Sequence, residues 1–168
     1  MTRTLTGKPS IDRPWMQYYP PQLMEGLSIP EDTVYEYLLK RCPGDDVAAI
    51  HYYGREITWK EVKEQVDKVA RSLRAIGFGE GDEIPMFLRA VPEFIYVLLA
   101  AEKIGASLLC RDNTIQENVD AVKKSGAKMI IAQDFLSHED LNKYRNEAGV
   151  RGAVLLSPIQ SANRSEVP

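Results

Sequence analysis

The sequence has few of the residues that build disulfide frameworks, metal centres or membrane spans. Its 168 residues include two cysteines and two histidines, so neither a disulfide framework nor a Cys/His metal site is indicated. The longest apolar run, Phe94 to Ala101, is shorter than a membrane-spanning helix requires. The N-terminus also has no apolar stretch of the kind found in secretory signals. These absences favour a reducing cytoplasm as the location.

The sequence also has no large excess of charge of one sign. Its 21 basic and 24 acidic side chains give a formal charge of −3. Since nucleic-acid binding depends on clustered positive charge, a nucleic-acid partner has little support. Hydrophobic residues make up 44% and charged residues 27% of the chain, which is typical of one globular domain.

The stretch from Pro92 to Cys110 is the most informative part of the chain. Pro92 begins a helix whose apolar positions are too dense to leave a face to water, and Gly105 ends it. The apolar residues 107–110 then predict a buried strand, in which Cys110 is expected to be unreactive. A buried helix that leads into a buried strand indicates the centre of a layered α/β domain. The stretch contains no group that is expected to do chemistry.

Strands and helices alternate from residue 83 onward, which predicts a parallel sheet with helical crossovers. The predicted strands are 83–88, 107–110, 128–132 and 153–156, and the predicted helices are 92–104, 114–125 and 137–147. The second of these helices opens with a capping box at Thr114 and Glu117.

Two helices and a hairpin are predicted before this alternation. The first helix covers 33–41 with Asp32 as its N-cap. A hairpin follows, with strands 48–53 and 56–57 joined by a two-residue turn at Gly54-Arg55. The capping box of Thr58 and Glu61 starts a long helix to about Ile76. Its apolar stripe is formed by Val62, Val66, Val69, Ala70, Leu73 and Ile76.

The chain ends differ in composition from this central part. Residues 1–30 hold five of the ten prolines and are predicted to form no regular helix or central strand. This segment is expected to wrap in extended form over a larger body, anchored by Trp15, Tyr18 and Tyr19. The α/β subdomain is predicted at 31–157, and the polar tail 158–168 is expected to be a truncation point.

Most residues that resemble functional motifs have a simpler structural explanation. The glycine-rich run Gly77–Gly81 follows a helix and precedes a strand, which is the reverse of a phosphate-binding loop. The fragment Ser125–Lys128 also precedes a strand, and its glycine is expected to be a helix C-cap. His51 and His138 have no ligand partners at metal-binding spacing.

Arg89 and the pair Arg111-Asp112 remain as candidates for ligand binding. Both follow the carboxyl ends of predicted parallel strands, where ligands bind in open α/β sheets. Surface charges in loops are the favoured alternative. No nucleophile–base set, acid pair or metal cluster is recognisable, so the sequence predicts no catalytic, cofactor-binding or metal-binding residue.

Several collinear segments resemble the AMP-forming acyl-CoA synthetases. They are Gly7–Trp15, Arg55–Val62, Gly77–Ile84, Pro92–Ala106 and Glu117–Lys128. Each segment is weak evidence by itself, but their order and spacing together are specific. The resemblance implies that the chain is the N-terminal part of a larger adenylate-forming fold.

The family resemblance implies an activity for the parent protein and none for this chain alone. Such an enzyme uses ATP and Mg²⁺ to convert a carboxylic acid, as in fatty acid metabolism, to an acyl-adenylate, and then transfers the acyl group to coenzyme A. The family's phosphate loop, adenine motif, ribose-binding aspartate and catalytic lysine lie downstream of the matched region. We therefore expect no bound cofactor here, and the remainder of the synthetase as the main partner.

Other functions stay open at this point. A non-catalytic synthetase-like module for binding or docking is one alternative. A peptide-synthetase adenylation domain, whose acceptor is a carrier-protein thiol, is another. An independent small α/β enzyme is disfavoured because no reactive constellation is present. Apolar surface left uncovered in the fragment favours association, including a homo-oligomer.

Overall fold

The computed structural model describes residues 5–24, 30–110, 114–157, 159 and 161–163. The chain divides into two compact units, residues 1–31 and 32–168. The helices are α1 (Pro9–Asp12), α2 (Pro21–Met24), α3 (Val34–Arg41), α4 (Trp59–Ala75), α5 (Pro92–Ile104), α6 (Ile115–Ser125) and α7 (His138–Ala148). The strands are β1 (Ala48–Tyr52), β2 (Arg55–Thr58), β3 (Glu83–Phe87), β4 (Ser107–Cys110), β5 (Met129–Gln133) and β6 (Gly152–Leu156).

The first unit contains short helical turns, so the prediction that this segment forms no helix is wrong. Besides α1 and α2, a 3₁₀ turn spans Pro14–Tyr18. Prolines stand at the first position of these turns, where the missing N–H is not needed. The buried carboxylate of Asp12 accepts hydrogen bonds from the backbone N–H groups of Thr6 and Gly7. Wrapping of this segment over a larger body stays a prediction.

The predicted hairpin is present, but its turn lies one residue earlier than expected. Tyr52 pairs with Arg55, so the central turn residues are Tyr53 and Gly54, with φ of 42° and 69°. Positive φ at both positions is the type I′ geometry, whose twist matches that of paired strands. Glycine therefore occupies the second central position, and Arg55 belongs to β2.

The described strands of the second unit include a parallel sheet in the order β4-β3-β5-β6. Met86 and Ile131 pack with residues of α4 and α5, whereas the adjacent Phe87 and Ile130 pack with α6 and α7. Because neighbouring strand residues point to opposite faces, the two helix pairs cover opposite faces of the sheet. The predicted class, a mainly parallel α/β sheet flanked by helices with a small hairpin, is confirmed.

The long helix α4 is capped at both ends by local sequence. Thr58 and Glu61 form the predicted capping box. At the other end, Phe78 N–H donates to Leu73 O at 3.0 Å and Gly77 N–H donates to Arg74 O at 3.1 Å, which is a Schellman motif. Four of the six stripe residues are buried, but Ile76 is 36% exposed because it lies in this C-terminal cap.

The helix α5 lies at the centre of the larger hydrophobic cluster, as predicted. Its residues Val97, Leu99, Ala100 and Ala101 are at most 2% exposed. Gly105 ends it with a φ of 80°. The glutamate Glu102 accepts a hydrogen bond from Tyr35 N–H at 2.8 Å, which fixes the start of α3 against α5.

The N-cap of α3 is Thr33, so the assignment of Asp32 is wrong. Thr33 Oγ1 accepts from Glu36 N–H, and Glu36 accepts from Thr33 N–H. This reciprocal pair is a capping box, which needs a glutamate three residues after the cap. Asp32 pairs with Lys40 instead.

The strand β4 is an edge strand, not a buried one. Within the described part of the chain its only neighbour in the sheet is β3. Ser107 and Cys110 are consequently exposed, so the expectation that Cys110 is buried is wrong. Cys42 is half-buried, and neither cysteine forms a disulfide.

Candidate functional site

The carboxyl ends of β3 and β5 lie side by side and open into a cleft. Phe87 pairs with Ala132 at this end of the two strands. The cleft has a volume of about 440 Å³ and is bounded by the segment after β3, the end of β5 and the helices α6 and α7. It will be called the carboxyl-edge cleft. This is the position at which open α/β sheets bind ligands.

The polar groups of the carboxyl-edge cleft come from two strand ends and one helix. Gln133 is the last residue of β5 and is 4% exposed, and its Oε1 has no hydrogen-bond partner among the described residues. Asn118 is 5% exposed on α6 and forms a side-chain hydrogen bond with Tyr144. A buried amide oxygen without a hydrogen-bond partner is energetically unfavourable. The Gln133 Oε1 atom can therefore accept a hydrogen bond from a donor group of a ligand.

The cleft also has an aromatic wall. The rings of Phe87 and Tyr144 stack with centroids 5.7 Å apart and planes inclined by 26°. The pKa of Tyr144 is raised to about 12, mainly by burial and also by the charge of Asp140, and the hydrogen bond with Asn118 acts in the opposite direction. Tyr144 is therefore neutral at neutral pH, where it lines the cleft with its aromatic ring.

The candidate Arg89 lies at this cleft, two residues beyond β3. Its side chain is exposed, and no ion pair is recorded for it among the described residues. Phe135 is 66% exposed beside it. A guanidinium, a buried amide and aromatic rings can bind an anionic or planar ligand. Arg111 and Asp112, the other candidates, lie outside the described residues.

The glycine-rich loop after α4 is a structural turn, as the sequence indicates. Asp82 Oδ2 accepts from Gly79 N–H at 2.7 Å, and Gly105 O accepts from Gly81 N–H at 2.8 Å. These N–H groups are already bonded within the protein, so they are not free to hold an anion. Gly126 is likewise the C-cap of α6, with a φ of 72°.

The structure does not bring the histidines into any ligand set. His51 Nδ1 lies 3.5 Å from Glu56 Oε1, and both side chains are 71% exposed. His138 begins α7. Among the described residues no group of three or more His, Cys, Asp and Glu side chains could hold a metal ion, and no helix there is long and apolar enough to cross a bilayer.

Sequence reasoning missed three buried polar residues: Gln133, Asn118 and Glu93. Gln133 ends the apolar run MIIAQ, and a polar residue at the carboxyl end of a buried strand is a signal that could have been used. That α5 holds no group for chemistry stays a prediction, but the helix does contain the buried acid Glu93. It is 7% exposed and accepts a hydrogen bond from Ser161 Oγ.

Known proteins similar to this chain agree with the fold. Residues 37–166 match the sequence family described as AMP-binding enzyme. The acetyl-coenzyme A synthetase of Streptomyces avermitilis is 32% identical over 96 residues, which cover 53% of this chain and 15% of the relative. Surfactin synthase subunit 1 of Bacillus subtilis is 27% identical over 123 residues, which cover 72% of this chain and 3% of the relative.

Solved structures share the architecture at lower identity. The structure of apo MatB from Rhodopseudomonas palustris matches with a TM-score of 0.64 and 19% identity, over 74% of this chain and 25% of that protein. A benzoate CoA ligase from Burkholderia xenovorans matches with a TM-score of 0.64 and 18% identity, over 76% of this chain and 26% of that protein. The chain thus spans a small part of the length of the proteins it matches. Because the family match extends over most of the chain, the protein belongs to the AMP-binding enzyme family.

Proposed function

We propose that the chain is the N-terminal part of an ATP-dependent acid–CoA ligase. In the whole enzyme a carboxylic acid is activated as acyl-AMP with ATP and Mg²⁺, and the acyl group then passes to the thiol of coenzyme A. The family match over residues 37–166 carries this proposal. The relatives named acetyl-coenzyme A synthetase support it further.

The role of this part is to supply one wall of the acid or coenzyme A site. The observation that supports this role is the carboxyl-edge cleft, which places Arg89 and the buried Gln133 at one sheet edge. Arg89 attracts an anionic group and Gln133 accepts a hydrogen bond, while the Phe87 and Tyr144 rings give a flat apolar surface. These groups bind and orient; they offer no nucleophile and no proton transfer at neutral pH.

The partners follow from this role. The main partner is the remainder of the synthetase, and the substrate is a small carboxylic acid. Exposed apolar residues, such as Tyr53 at 53% and Ile95 at 36%, leave surface for such packing or for a homo-oligomer. The free cysteines fit a reducing cytoplasm.

Backbone amide NMR with coenzyme A tests the wall role. Millimolar coenzyme A should shift the signals of Arg89, Gln133 and Phe135 saturably. Arg89→Ala should weaken this binding by up to about fivefold, the effect of losing one exposed ion pair. Arg71→Ala, a matched control that removes an exposed arginine from α4, should leave it unchanged. Shifts absent from the cleft, or equal affinities in all three proteins, would contradict the wall role.

A peptide-synthetase adenylation domain is the second candidate. The surfactin synthase match favours it, since that alignment covers 72% of this chain. The acceptor would then be a pantetheine thiol on a carrier protein. In the same NMR experiment, equal amide shifts with pantetheine and with coenzyme A favour the adenylation domain. Shifts that appear only with the nucleotide part of coenzyme A favour the acid–CoA ligase.

The length of the open reading frame distinguishes a non-catalytic module from the two synthetase candidates. An open reading frame that continues past codon 168 into a phosphate loop supports the synthetase proposal. A stop codon after Pro168 supports a stand-alone module.

A further inference from the structure

A second cleft surrounds the buried carboxylate of Glu93. It has a volume of about 280 Å³ and lies between β2, α4, α5 and the segment after β6. Its polar wall is formed by Arg55, Glu61, Gln65, Glu93 and Ser161. It will be called the Glu93 cleft, and the proposed function does not use it.

Glu93 has unused hydrogen-bonding capacity. Glu93 is 7% exposed, and its Oε1 atom accepts a hydrogen bond from Ser161 Oγ. Oε2 is buried and has no hydrogen-bond partner among the described residues. A carboxylate has about four acceptor positions on its two oxygens, so a buried one with a single donor among the described residues has most of these positions unfilled.

The nearby arginine does not satisfy this carboxylate. Arg55 Nη2 is bonded to Glu61 Oε1 at 3.1 Å. Glu61 is held mainly by the backbone N–H of Thr58 and then by Arg55, and both lower its pKa. Arg55 and Glu61 thus form an ion pair with each other, and among the described residues that line the cleft Glu93 is the acid without a basic partner. A buried charge without a counter-ion is unfavourable unless a cation supplies one.

The remaining walls fit an aliphatic stem. Val69, Val97 and Leu156 line the cleft together with Tyr96. A divalent metal is held by several oxygen ligands, and the described residues contain no group of three or more His, Cys, Asp and Glu side chains that could hold one. An ammonium or guanidinium group needs only one carboxylate and a few acceptors.

One wall of the cleft is fixed by long-range hydrogen bonds. Asn163 N–H donates to Tyr53 O at 3.2 Å, and Ser161 is 6% exposed where it meets Glu93. Ser161 and Asn163, which follow β6, are thus bonded to α5 and to the hairpin, respectively. A site whose walls are already ordered loses less entropy when a ligand binds.

We propose that the Glu93 cleft binds a cationic nitrogen group, an ammonium or a guanidinium, carried on a short aliphatic stem. The group donates hydrogen bonds to Glu93 and supplies its counter-charge, while the stem packs on the valines. The cation can be a free amine or the side chain of a lysine or arginine in a polypeptide. Both sources share this chemistry, and the test separates them.

Amide NMR of the full chain tests the proposal with two probes. Methylguanidinium chloride represents the free cation, and a tripeptide Gly-Arg-Gly with blocked ends represents a side chain. Either probe should shift the signals of Glu93, Tyr96 and Ser161 saturably. Binding of the peptide about tenfold tighter assigns the site to a polypeptide side chain, and equal binding assigns it to a free cation. Tetramethylammonium chloride has no N–H donor and should give no saturable shift.

Matched variants complete the test. Glu93→Gln should weaken probe binding about tenfold or more, because the charged acceptor is lost. Glu56→Gln changes an exposed acid on β2 and should leave binding unchanged. If Glu93→Gln does not fold, the proposal is tested with Ser161→Ala. This change removes the internal hydrogen-bond donor to Glu93, so the affinity for the probes should stay the same or increase.

The proposal would be overturned if neither probe gave a saturable shift, or if tetramethylammonium gave shifts equal to those of the probes. Unchanged probe affinity in a folded Glu93→Gln variant would also overturn it. Loss of binding in Ser161→Ala, with the fold retained, would also contradict it.

Discussion

The centre of the helix α5 and the carboxyl-edge cleft differ in burial and in polarity, the two properties that distinguish a structural core from a ligand-binding surface. In α5, Leu99 is 1% exposed and its neighbours are apolar. The cleft instead combines the exposed Arg89, the buried amide of Gln133 and Phe135 at 66% exposure. Substitutions at the centre of α5 are therefore expected to change stability, whereas substitutions in the carboxyl-edge cleft are expected to change ligand binding.

The largest expected effect is on stability and comes from the centre of α5. Leu99→Ala should lower the free energy of unfolding by about 3–5 kcal/mol, because it removes buried methyl groups and leaves a cavity. Chemical denaturation followed by circular dichroism measures this change. The matched control is Leu155→Ala on β6, where the side chain is 45% exposed and the loss should be below about 1 kcal/mol. Equal losses at the two positions would remove the distinction between core and surface.

A smaller effect is expected at the end of α5. Gly105 has a φ of 80°, and an added Cβ would lie 3.0 Å from Glu80 Cγ and 3.4 Å from Glu80 Cα. Gly105→Ala should therefore cost about 1–2 kcal/mol for the backbone strain and more for the contact with Glu80. Gly126→Ala is the control, since its φ is 72° with no atom within 4 Å of an added Cβ. A larger loss at Gly126 than at Gly105 would argue against the close packing of the Gly81 turn on α5.

The smallest expected effect is a pH dependence at the cleft. The pKa of Tyr144 is raised from 10.0 to about 12, so folding favours its neutral form. Its contribution to stability is complete below pH 10 and is lost as the pH rises through about 12. Thermal unfolding should show a smaller decline in melting temperature above pH 10 for Tyr144→Phe than for the unchanged protein. An equal decline in both proteins would show that Tyr144 is not buried as described.

Local signals in the sequence predicted most of the fold. The capping boxes at Thr58 and Thr114 and the glycine after α5 depend on residues within one helical turn, so they are readable without tertiary contacts. The errors at Asp32 and in the hairpin turn are one-residue shifts, where two neighbouring residues could both serve. Sheet order is not local, and this is why the edge position of β4 and the exposure of Cys110 were missed.

The functional region was predictable only in outline. Arg89 was identified because a charge after a parallel strand marks the ligand-binding edge. Gln133 and Glu93 were not identified, since polar residues are usually exposed and only tertiary packing buries these two. The partners that make each cleft, such as Ser161 for Glu93, lie far away in sequence.

The central claim is that this chain binds ligands and supports the fold of the whole synthetase but does not catalyse the reaction by itself. The most direct measurement is ATP–pyrophosphate exchange by the 168-residue chain alone, with acetate as the acid. No exchange above a blank without protein is expected, because none of the described residues that line the two clefts activates a carboxylate or a phosphate. Exchange at about 1 s⁻¹ or faster, the range of complete enzymes, would contradict it.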